Sequence, residues 1–169
     1  YTALTSMEPD GGVSNNTAVG FECGAAVSTG EENTLIGANA GSAINTGGNN
    51  VIVGSLAGDA ATTASGSVFL GYAAGQTVTT GNNNIAVGND ALGGAATTGD
   101  NNIAIGNAAG DALTSGYDNI LMGNDAGGVM TTGLGSFLIG VRAGEAITDP
   151  TGTIAIGYKA LLEEDNADN

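Results

Sequence analysis

The sequence predicts an all-β protein, a parallel β-solenoid of about nine 17-residue rungs, and three observations carry that prediction. Short apolar triplets each end in glycine, at Gly20, Gly37, Gly54, Gly71, Gly88, Gly106, Gly123, Gly140 and Gly157, spaced by 17 residues except for one step of 18 after Gly88. Repetition at a fixed short period marks a stacked architecture. The triplets are rich in β-branched residues and bounded by Gly and Asn, a strand signal, and no segment shows a helical period. Seventeen residues cannot bury a core alone, so the units must stack.

Each unit reads roughly Thr-Thr-Gly-x-Asn-Asn-Ile-Ala-Ile-Gly-x-x-Ala-Gly-x-Ala-x. The glycines before the Asn pairs (Gly47, Gly81, Gly99, Gly116, Gly133) are expected at positive φ in a turn. The triplets, among them Val51-Ile52-Val53, Ile85-Ala86-Val87, Ile103-Ala104-Ile105 and Ile154-Ala155-Ile156, are the strands. A second short strand is expected through segments such as Gln76-Thr77-Val78-Thr79 and Glu145-Ala146-Ile147-Thr148. The extra residue of the 18-residue step falls in Gly93-Gly94-Ala95, where a loop can absorb it. Residues 1–13 read as a degenerate rung or lead-in, with Tyr1-Thr2-Ala3-Leu4 as a worn tenth triplet. Residues 14–162 form the solenoid, and the acidic 163–169 lead toward a further rung or tail, as in a piece of something longer. At about 4.8 Å per parallel strand, nine rungs make a rod on the order of 40 Å long.

Composition narrows the function. The 169 residues include 31 Gly, 17 acids, no His and two cations, Arg142 and Lys159, for a formal charge of −15. Such a chain cannot neutralise a phosphate backbone, which argues against nucleic-acid binding. It offers little for acid–base or phosphoryl-transfer chemistry. Its apolar runs are far short of a membrane span, and no signal peptide is visible. No cofactor or metal is expected, and the Gly-Gly-x-Gly-x-Asp repeat of calcium-binding β-rolls is absent.

Stacking turns each repeat position into a column. Three residues after the anchor glycine stand Cys23, Ala40, Ala57, Ala74, Ala91, Ala109, Ala126, Ala143 and Ala160. A column this uniform is a tight interior site, so Cys23 reads as a buried small apolar residue. Four residues before the anchor, Asn16, Asn33, Asn50, Asn84, Asn102 and Asn119 form a candidate amide ladder, with Ser67, Ser136 and Thr153 as substitutes. Side chains alternate along a strand. Placing the first and third triplet residues inside turns the middle ones outward: Ala18, Leu35, Ile52, Phe69, Ala86, Ala104, Leu121, Leu138 and Ala155. A soluble monomer would rarely expose such a stripe. A homo-oligomer packed on Leu35, Ile52, Phe69, Leu121 and Leu138 is therefore expected, most simply a parallel trimer. The acids are scattered so that like charges do not stack on consecutive rungs at the same position.

The segments Asn-Asn-Ile-Ala-Val-Gly-Asn-Asp-Ala-Leu (83–92) and Asn-Asn-Ile-Ala-Ile-Gly-Asn-Ala-Ala-Gly (101–110) resemble head repeats of trimeric autotransporter adhesins. The Thr-Thr-Gly-x-Asn-Asn spacer (79–84, 97–102) is similar to repeats of bacteriophage tail fibres and tailspikes. The resemblance covers about residues 14–162 and implies a trimeric, left-handed parallel β-roll acting as stalk or adhesive head. The adhesin head repeat is shorter, and no neck, coiled-coil heptad or membrane anchor accompanies it here.

The leading expectation is an extracellular structural fibre or adhesive shaft on a virion or bacterial surface, not an enzyme, with a host-surface glycan or receptor as partner. Phe21, Tyr72, Tyr117 and Tyr158 are the candidate glycan contacts. An ice-binding solenoid using the column Thr62, Thr79, Thr97, Thr114, Thr131 and Thr148 is the first alternative. A glycan-cleaving tailspike with paired carboxylates is the second, although no pair of acids stands out.

Overall fold

A computed structural model describes residues 3–4 and 14–161; the calls on the rest of 1–13 and on 162–169 lie outside the described residues. Among the described residues there are nine strands: β1 (Thr17–Val19), β2 (Thr34–Ile36), β3 (Val51–Val53), β4 (Val68–Leu70), β5 (Ile85–Val87), β6 (Ile103–Ile105), β7 (Ile120–Met122), β8 (Phe137–Ile139) and β9 (Ile154–Ile156). They form one parallel sheet in sequence order. The register is exact in every pair: Leu35 lies beside Ile52, Ile52 beside Phe69, and Phe69 beside Ala86. The chain is a β-solenoid.

The anchor glycine ends each strand for a physical reason. Its φ lies between 130° and 143° in all nine rungs, where L side chains are strained. In the first eight rungs a Cβ there would also land on the carbonyl of the next anchor, as Gly20 would on Gly37.

The glycines before the Asn pairs behave differently from expectation. Gly47, Gly81, Gly99, Gly116 and Gly133 do not take positive φ; the next residue but one does, as at Asn49 (61°), Asn83 (56°), Asn101 (60°) and Asp118 (59°). Asn and Asp tolerate the left-handed region, so Asn49, Asn83, Asn101 and Asp118 make the turn, and Gly135 does so after Gly133. The glycines serve close approach instead, since a Cβ on Gly47 would strike the carbonyl of Ala64.

The expected second strand is not formed. Around Val78 and Ile147 the chain makes turns and bends, joined to the next rung by single bonds such as Thr62 N–H to the Thr79 carbonyl (3.0 Å). Left-handed Gly75 and Gly144 turn the chain just before the two segments. Val78 is nonetheless fully buried. Ala3 and Leu4 also depart from expectation. Leu4 donates its N–H to the Cys23 carbonyl as Gly24 does to Ala40, so the pair occupies the alanine column and the slot after it. It is not part of a strand triplet.

Two interior ladders hold the stack. The alanine column from Cys23 to Ala143 is fully buried. Burial pushes the Cys23 thiol pKa above its usual value, against a smaller opposing contribution from the Val19 backbone. Beside it run the buried amides. Asn102 donates from its side chain to Gly116 O (2.9 Å) and to Asn84 Oδ1 (3.1 Å), and its own Oδ1 accepts from the backbone and side chain of Asn119. Ser67 and Ser136 continue the ladder with shorter side chains.

The insertion rung keeps the core filled by a swap. Leu92 takes a left-handed slot that is glycine in rungs such as those of Gly75 and Gly110, and its side chain is fully buried. Its Cδ2 lies 3.0 Å from where a Cβ on Gly110 would be. Ala96, the counterpart of buried Val78 and Leu113, turns to the surface.

Candidate self-association face

The alternation along each strand is as expected, but its sense is reversed. Leu35, Ile52, Phe69, Leu121 and Leu138 are fully buried within the single chain and cannot form an oligomer interface. The reason is volume and parity. A 17-residue rung already encloses the alanine column, the amide, and a second apolar side chain such as Ile44, Val78 or Met130. That leaves room for one strand residue, and Phe69 fits there because Gly58 and Gly75 beside it carry no Cβ. The buried amide stands two residues before the middle residue, so the two share a face.

The first and third strand residues consequently face outward. Val19, Ile36, Val51, Leu70, Met122, Phe137, Ile154 and Ile156 are exposed, Leu70 at 47% and Phe137 at 42%. Val53, Val68, Ile85, Val87, Ile103, Ile105, Ile120 and Ile139 between them are half-buried. With in-register pairing these make two parallel apolar columns, on the order of 40 Å long over nine rungs. Thr17 and Thr34 are the polar members of the two columns.

None of the residues in the nine strands is acidic or basic, and exposed Glu32 and Asp118 stand two residues before β2 and β7. Glu22, Asp90, Asp125, Arg142 and Lys159 follow the anchor glycines by two residues, and Asp59, Asp111 and Glu145 by five; Arg142 pairs with Glu145. Burial raises the Asp111 pKa; Asp90 and, more weakly, Asp125 add to this, while the Gly94 N–H opposes it. Among the described residues no group of three His, Cys, Asp or Glu side chains is placed to hold a metal, and no helix is long and apolar enough to cross a membrane.

The candidate glycan contacts are all exposed but not brought together. Phe21, Tyr72 and Tyr158 follow their anchor glycines along one border of the apolar face. They are separated by three and five rungs, about 14 and 24 Å. Tyr117 lies on another turn, paired by a single bridge to Leu134. The threonine column is committed to the stack: the Thr62, Thr79, Thr114 and Thr131 hydroxyls donate to carbonyls of the next rung, and Thr97 is buried and donates to Leu113 O (2.7 Å).

Compared with known proteins, the chain matches no family model, and no curated protein and no solved structure is significantly similar to it.

Proposed function

We propose that this chain is a structural shaft that associates side by side with copies of itself through the outward face of its sheet, most simply as a parallel homotrimer. The observation that carries the reading is an apolar outward sheet face with no charged strand residue, on a chain of net charge −15. Apolar surface of this extent is rarely left uncovered, and interface cores are depleted in charge. The resemblance to adhesin heads and tail fibres supports an extracellular setting, on a virion or bacterial surface, with the shaft holding an attachment function at a distance. Phe21, Tyr72, Tyr117 and Tyr158 are the exposed aromatic surface available to a host glycan. No reaction is assigned to the chain.

Solution mass by light scattering, followed on dilution to nanomolar at low and high salt, tests the reading. Three times 16.2 kDa is expected. Salt should strengthen association, because it screens repulsion between copies of high like charge. A mass of one chain at every concentration would overturn it.

A further inference from the structure

We draw no further inference here: the strongest candidate, the surface patch of outward apolar columns on the sheet with Thr17 and Thr34 at one end, belongs to the self-association face already described, and nothing in the structure shows what covers it or in which direction.

Discussion

The two sides of each three-residue strand make an instructive contrast. On the inner side, Phe69 and Leu121 are sealed within one chain and share their space with alanines and hydrogen-bonded amides. On the outer side, Phe137 and Leu70 stand in solvent. Both sides are apolar, so hydrophobicity alone does not distinguish them. What distinguishes them is the company of polar residues: the buried Asn and Ser side chains inside form a hydrogen-bonded ladder, whereas Thr17 and Thr34 stand in the outer columns. The inner side builds the rod, and the outer side is available for joining rods.

The largest effect should come from truncating the same residue type on the two sides. Phe69→Ala is expected to cost about 3–5 kcal/mol of stability, as for a buried aromatic. Phe137→Ala should change the stability of the single chain by less than about 1 kcal/mol, since surface changes are small, and act on association instead. Denaturant unfolding at low concentration, together with mass measurement, separates the two.

Next comes the amide ladder. Asn102→Ala removes the donor to Gly116 O and the acceptor for the Asn119 N–H, leaving buried backbone groups unpaired at roughly 2–4 kcal/mol. Asn102→Ser should cost less, because Ser67 Oγ and Ser136 Oγ accept from the Asn84 and Thr153 backbones at equivalent positions. Thermal unfolding of the two variants ranks them.

The smallest effect concerns the acidic turns. Asp111 has a folded-state pKa raised chiefly by burial and then by Asp90, so its ionised form costs stability at neutral pH. That cost is absent below the ordinary carboxylate value of 3.8 and grows as pH rises through the raised folded value. Asp111→Asn should therefore raise stability at pH 7 by less than about 1 kcal/mol at this partly exposed site, read as a higher melting temperature. The advantage should fade as pH falls through the folded value toward 3.8. A constant difference across that range would show that charge is not the cause.

The contrast also explains what could be read in advance. Spacing between anchor glycines located all nine strands and the alanine and amide columns, because a stacked fold forces one residue type into one environment on every rung. The sense of the strand was misread because alternation separates two faces without saying which is inner. Two signals could have corrected it. The amides two residues before Leu35 and Ile52 belong inside, and Thr17 and Thr34 suit an outer face. The burial of Leu92 was not legible, since it depends on how the extra residue displaces Ala96 outward. The left-handed Asn49 and Asn101 were hidden by the glycines beside them, which drew the turn assignment to themselves.

The division of labour between the two sides is tested most directly by adjacent charge substitutions in β3, Ile52→Asp and Val53→Asp, compared by far-ultraviolet circular dichroism and light scattering. Expected is that Ile52→Asp unfolds the chain, whereas Val53→Asp keeps the folded spectrum and reduces the mass to a single chain. A Val53→Asp protein that stays associated, or an Ile52→Asp protein that stays folded, would contradict it.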